Sequence, residues 1–260
     1  MMTETVSTHI DALDAMRTYP DPLYCRGDLS LLERPKVSIV GTRKPSSYTR
    51  RLTYDLAQAL SRRGVCIVSG AAMGVDAIAH QGAGADNTIA VLANGLDIRY
   101  PAVNASLIES IEAHGLLLSQ FEEGMRTAQW GFVVRNELVV ALGEVLIITE
   151  ADEESGSIRS AEYAQKMGKT IYVLPHALDR SRGTNRLLAE GKAEPIYDLE
   201  SFADRFGVAP SDSERIKDSF FYFCQKHPTL DEAVAAFGNR VYEAELAGEI
   251  RIESGRIQII

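Results

Sequence analysis

Four short segments of this 260-residue chain place glycine among small or polar residues in the manner of an anion-holding loop, two of them with cations as well. In Gly41-Thr42-Arg43-Lys44-Pro45, Gly41 lets the backbone approach a bound group and Arg43 offers a planar fork of donors for an oxyanion. Lys44 adds a second cation, and Pro45 stiffens the turn. In Ser69-Gly70-Ala71-Ala72-Met73-Gly74-Val75-Asp76, backbone amides, the Ser69 hydroxyl and a following helix start would form an anion nest. Asn94-Gly95-Leu96-Asp97 is the third segment. The fourth, Ser155-Gly156-Ser157-Ile158-Arg159-Ser160-Ala161, reads either as a second phosphate nest or as the cap of a helix beginning near Ile158. Taken singly, such a loop is most often a turn; their joint occurrence at successive strand ends is a pattern.

Other chemistries have weaker signatures. Asp76 and His80 lie four apart on one helix face, a spacing that suits a helix-stabilising contact better than acid–base work. Cys25, Cys66 and Cys224 are far apart and without CxxC spacing, and the histidines are scattered, so neither a disulfide framework nor a metal site is expected. There is no GxxxxGK[ST] for a nucleoside triphosphate and no GxGxxG with a following acidic residue for a dinucleotide. No cofactor is expected.

The elements that must position these loops follow from hydropathy. Val37–Val40, Val65–Val68, Thr88–Leu92, Leu116–Leu118, Val145–Ile148 and Ile171–Leu174 are continuous aliphatic runs, as expected of strands buried on both faces. Helical patterns lie between them; Leu52, Leu56 and Leu60 share one face of a helix over Leu52–Ser61. Strand–helix alternation to about Phe206 predicts a doubly wound, mostly parallel α/β sheet, in which ligands bind beyond the carboxyl ends of the strands. A short N-terminal segment (1–30) precedes this domain (31–207), and a polar linker (208–213) follows it. Residues 214–260 read as short helices and a hairpin pairing Glu249–Ile252 with Arg256–Ile259, a winged-helix-like unit. Its acidic balance predicts contact with protein instead of a DNA groove.

The formal charge of −9 means that any polyanion must be held by a local patch. Arg43, Lys44, Arg50, Arg51, Arg62 and Arg63, with only Asp55 among them, are the candidate. No apolar run approaches the roughly 20 residues of a membrane span, and the N-terminus has no secretory pattern, so a reducing cytoplasm is expected.

The loops also carry a family signature. Gly41-Thr42-Arg43-Lys44-Pro45, Ile67–Asp76 with Ala79-His80, Tyr100-Pro101 with Asn104, Phe132-Val133-Val134-Arg135-Asn136, Ser155-Gly156-Ser157 and Gly183-Thr184-Asn185 occur together in one order and spacing. Over about Pro20–Gly207 the chain resembles the DprA/Smf DNA-processing proteins. The resemblance implies an extended Rossmann-like fold, a homodimer, binding of single-stranded DNA, and delivery of RecA onto that strand during natural transformation. Three departures stand out. Glu137 follows Asn136 where the family usually has a cation, which would weaken the positive field. Pro175-His176 replaces Pro-Gly, and the N-terminal domain is cut to about 30 residues.

On this reading the DNA-binding residues are Gly41, Arg43, Lys44, Ser69, Gly70, Phe132, Arg135, Asn136, Ser155, Gly156 and Ser157, with no catalytic residue among them. Phe132 or Trp130 would offer a ring to a base, or simply pack; Arg135 would face DNA or pair with an acid. Two alternatives use the same loops: a phosphoribohydrolase-like enzyme acting on nucleoside monophosphates through Glu162, and a mononucleotide sensor.

Overall fold

A computed structural model describes residues 2–208, 219–224, 227–246, 249–253 and 255–259. The chain divides into two compact units, Met1–Val208 and Ala209–Ile260.

Strands of the first unit are β1 (Glu4–Thr5), β2 (Tyr24–Gly27), β3 (Lys36–Val40), β4 (Cys66–Ser69), β5 (Thr88–Leu92), β6 (Leu116–Ser119), β7 (Leu146–Ile148), β8 (Ile171–Val173) and β9 (Glu194–Pro195). Its helices are α1 (Ser47–Ser61), α2 (Val75–Ala83), α3 (Ala105–His114), α4 (Gln129–Leu142), α5 (Gly156–Lys166), α6 (Arg182–Ala189) and α7 (Leu199–Ala203). All nine strands form one sheet in the order β1-β2-β6-β5-β4-β3-β7-β8-β9. From β6 to β9 every neighbouring pair is parallel, whereas β2 pairs antiparallel with β6 and β1 with β2.

Because side chains alternate along a strand, the aliphatic runs feed two cores at once. Cys66, Val68, Ile89, Val91, Leu146 and Ile148 pack on one face with α4, α5 and the N-terminal Leu13 and Met16. Val37, Ile39, Ile67, Ile147 and Tyr172 pack on the other with α1 and α2. Ala90, Leu92 and Leu117 meet Ile108 and Ile111 of α3 on that second side.

The first 30 residues are not separate from the sheet. They supply β1 and β2, with Tyr24 opposite Ser119, and their Leu13 is completely buried. Helix α1 begins five residues earlier than the leucine pattern predicts. Ser46 caps it, accepting a 3.3 Å hydrogen bond from the Thr49 amide.

In the second unit, α8 (Ser219–Cys224), α9 (Leu230–Phe237) and α10 (Arg240–Leu246) precede a hairpin of β10 (Ile250–Glu253) and β11 (Arg256–Ile259). A capping box between Thr229 and Glu232 starts α9, and Phe220, Cys224, Val241, Ile250 and Ile257 form a core of their own. Helices followed by a two-stranded ribbon are the order of elements among the described residues of this unit. Apart from Val208, the expected linker 208–213 lies outside the described residues, as do 214–218. Among the described residues, no helix is long and apolar enough to cross a membrane.

Candidate nucleic-acid interface

The order β6-β5-β4-β3-β7-β8-β9 reverses beside β3: the chain first builds outward through β4, β5 and β6, then crosses to β7. In a doubly wound sheet that reversal opens a crevice beyond the carboxyl ends of the strands. Here the loops after β3, β4 and β5 meet the first turn of α4 around a small open pocket. Arg43, Gly70, Met73, Asn94, Tyr100 and Phe132 line it.

Arg43 is exposed, and its guanidinium lies 5.0 Å from the centre of the half-buried Phe132 ring. Tyr100, itself 45% exposed, stands 6.3 Å from the same ring. The Arg43 loop is pinned from β7's end: the Thr42 amide donates to the Glu150 carbonyl at 2.8 Å, and the Ser46 amide and hydroxyl donate to Glu150 Oε2 at 3.0 and 2.9 Å. Burial raises the Glu150 carboxyl, but hydrogen bonds from Thr49 and Ser46 outweigh it and hold the group below its ordinary range. Lys44 is exposed next to Arg43.

Three loop residues do other work than the sequence suggests. Ser69 belongs to β4, is fully buried, and donates its hydroxyl to the Ile39 carbonyl at 2.6 Å, so it is not open to a ligand. Gly70 makes room for a side chain of the protein itself: a Cβ there would stand on the guanidinium of Arg135. Arg135 is accordingly not a surface cation. Only 5% exposed, it donates to the Val91 carbonyl at 3.2 Å and lies 3.7 Å from Asp76.

Asp76 in turn sits in the turn that opens α2. Left-handed Ala71 (φ 54°) is held by Asn104, whose amide donates to the Ala71 carbonyl at 2.9 Å. The Ala72 amide points at the Asp76 carboxylate from 3.4 Å, and the Gly70 amide nearby also favours its charge. Burial lifts the Asp76 carboxyl against the pull of Arg135 and these amides, and it lowers Arg135 against the support of Asp76. Asp76 and His80 do not form the expected helix pair. His80 turns to Thr88 Oγ1 at 2.6 Å, and burial, with the Arg135 charge, pushes it down to about 3.

Of the remaining sites, Asn136 is half-buried beside Gly156, 3.8 Å from where a Cβ would stand. Ser155 is the N-cap residue of α5, yet its hydroxyl makes no capping bond and has no partner. Ser157 is buried in the first turn of α5. None of Ser155, Gly156 and Ser157 lines the pocket. Trp130 is 56% exposed and stacks edge-on against Phe121.

Glu137 does not dilute the positive field at the pocket. Two residues past Arg135, it points to the far side of α4, where Oε1 accepts from the Arg17 amide at 3.0 Å and Oε2 from the guanidinium at 2.9 Å. The basic patch is also smaller than its sequence. Arg62 and Arg63 sit at the far end of α1 and pair with Glu200 and Asp204. Arg43, Lys44, Arg50 and Arg51 remain near the loop, with the Arg50 Nε donating to the Pro45 carbonyl at 3.3 Å. Sequence reasoning passed over Tyr100 as a lining residue and Glu150 as an anchor. Tyr100 stood in a quoted motif; Glu150 carried no local signal.

Residues 3–207 match the family model for DNA recombination-mediator protein A. The chain belongs to that family. It is 35% identical over 225 residues to a putative DNA processing protein DprA of Mycobacterium tuberculosis, covering 84% of this chain and 56% of the relative. It is 31% identical over 245 residues to Protein Smf of Escherichia coli, covering 90% and 65%. The chain thus spans about half to two thirds of the length of the curated relatives it matches. Among solved structures, DNA processing protein A from Helicobacter pylori, described for its single-stranded DNA binding mode, superposes with a TM-score of 0.76 at 42% identity. That match covers 78% of this chain and 94% of the other. DprA from Streptococcus pneumoniae superposes with a TM-score of 0.73 at 31% identity, over 80% and 75%. The nine-stranded, mostly parallel sheet is therefore the family's extended Rossmann-like fold.

Proposed function

We propose that this protein is a non-catalytic, cytoplasmic, homodimeric DNA-processing protein that binds single-stranded DNA and delivers RecA onto it during DNA uptake. The observation that carries the reading is the pairing of Arg43 with Phe132 at the rim of the pocket. An exposed guanidinium over a half-buried ring offers one group for a backbone phosphate and one for a base face. Phosphate contacts carry no sequence information, and a splayed base is available only from a single strand. The site is accordingly expected to prefer single strands and to read little sequence. Arg43, Lys44 and Phe132 would contact the strand directly, with Gly41 admitting the backbone. Ser69, Gly70 and Arg135 would support the floor beneath it. Asn136, Ser155, Gly156 and Ser157 would form a flanking contact.

The RecA and dimer parts of the reading rest on the family. The enzymatic alternative draws no support from the site, because Glu162 is exposed on α5, about two turns beyond its start.

Fluorescence anisotropy with a labelled dT oligonucleotide and a matched duplex, at two salt concentrations, tests the reading. Salt-sensitive binding that favours the single strand is the expected result. Equal binding to duplex, or none at low salt, would discard it.

A further inference from the structure

The turn that opens α2 has the parts of a phosphate site. It follows a parallel strand, its amides at Gly70 and Ala72 converge across left-handed Ala71, and a helix N-terminus lies behind them. A buried cation completes it: Arg135 is 5% exposed, approaches no closer than 3.7 Å to an acid, and leaves its Nε without a partner. What occupies the turn is the carboxylate of Asp76, itself only 6% exposed, which takes the amide of Ala72 and faces the guanidinium of Arg135.

We propose that Asp76 is a specificity residue: its carboxylate stands where a terminal phosphate would bind, so that the site rejects mononucleotides and phosphorylated ends and accepts only the interior of a strand. This inference rests on the DNA-binding reading of the pocket and deepens it. A monoester or terminal phosphate needs several convergent donors and enters the amide nest with about two negative charges. A diester within a strand carries one and can be met at the rim by Arg43 and Lys44. A carboxylate already in the nest repels the first and leaves the second untouched. Gly70 and Ala72 belong both to the nest and to the pocket wall, which places the exclusion next to the strand.

The test is chemical rescue. In Asp76→Ala the carboxylate is gone, and inorganic phosphate or dTMP can fill the space beside Arg135. The expected result is a rise in melting temperature of about 3–5 °C at tenfold Kd for phosphate or dTMP, absent with chloride at equal ionic strength and absent in the unsubstituted protein. A 5′-phosphate on dT oligonucleotides should strengthen binding to Asp76→Ala and not to the parent. If Asp76→Ala folds only in phosphate, that dependence is itself the predicted rescue. Should it fail to fold in either condition, Asp76→Ser, which leaves a hydroxyl for the Ala72 amide and keeps Arg135 in place, is titrated with phosphate in its place. A folded variant indifferent to phosphate and dTMP would overturn the proposal, as would a parent protein that binds dTMP equally well. Neither phosphate readout requires oligonucleotide binding, so loss of the DNA reading would show separately in the anisotropy titration.

Discussion

The guanidinium of Arg135 fills the space in which any residue other than glycine at position 70 would place its Cβ. Gly70→Ala must therefore push Arg135 off the Val91 carbonyl and away from Asp76. Overpacking and a parted buried ion pair act together, and we expect a loss of about 3 kcal/mol in stability by urea denaturation. Gly156→Ala is the control: a Cβ there meets nothing nearer than Asn136 at 3.8 Å, so the change should stay within about 0.5 kcal/mol.

Arg43→Ala is expected to weaken binding of all single-stranded sequences alike and to reduce the salt slope by about one. Phe132→Leu should cost about 5- to 150-fold in affinity, the range for one lost stacking contact, with the salt slope unchanged. Anisotropy titrations across salt separate the two effects. An Arg43→Ala protein with the parent's slope would put the phosphate contact elsewhere.

Glu137→Gln should leave DNA affinity within about twofold of the parent, because its charge is engaged by Arg17 on the side of α4 away from the pocket. Its effect should appear in the melting temperature, through looser docking of the N-terminal segment. An affinity gain of severalfold would mean that the carboxylate field does reach the strand.

His80 predicts a pH dependence. Burial, aided by the Arg135 charge, holds it at about 3 in the folded chain, against about 6.5 when unfolded. The unfolded state alone takes up the proton between these values. Stability is thus full above about pH 6.5 and falls as pH drops toward about 3, by at most about 1.4 kcal/mol per unit from this residue. Urea denaturation at pH 7 and pH 5 should show a smaller acid loss for His80→Gln than for the parent. An identical loss would assign the slope to other groups.

The family match ends at residue 207 and the first compact unit at Val208. A chain truncated after Val208 is expected to keep the fold and to bind oligonucleotide within about threefold of full length. A larger loss by anisotropy would assign the C-terminal unit a direct part in binding.

Much of the architecture was readable before the structure because strands buried on both faces are written as unbroken aliphatic runs. The run Thr88–Leu92 is β5 to the residue. What escaped was polar or short. Ser69 ends a strand with its hydroxyl satisfied by a neighbouring carbonyl, while Glu4–Thr5 and Glu194–Pro195 are too brief and too polar to show a period. The site divides the same way. Glycine and arginine at strand ends marked the loops, but the occupancy of the second loop by Asp76 and Arg135 depends on packing between elements far apart in sequence. Glu137 could have been placed by helix phase alone, since two residues along a helix is more than half a turn.

Both flanks of the great sheet finish in two-residue strands, β1 and β9, and the outermost carries Pro195, which has no amide hydrogen to offer. A neighbouring chain therefore finds little ladder to continue at either margin of this sheet. Among the described residues of the first unit, growth of this sheet by strand addition, the route to runaway stacking, is thereby disfavoured.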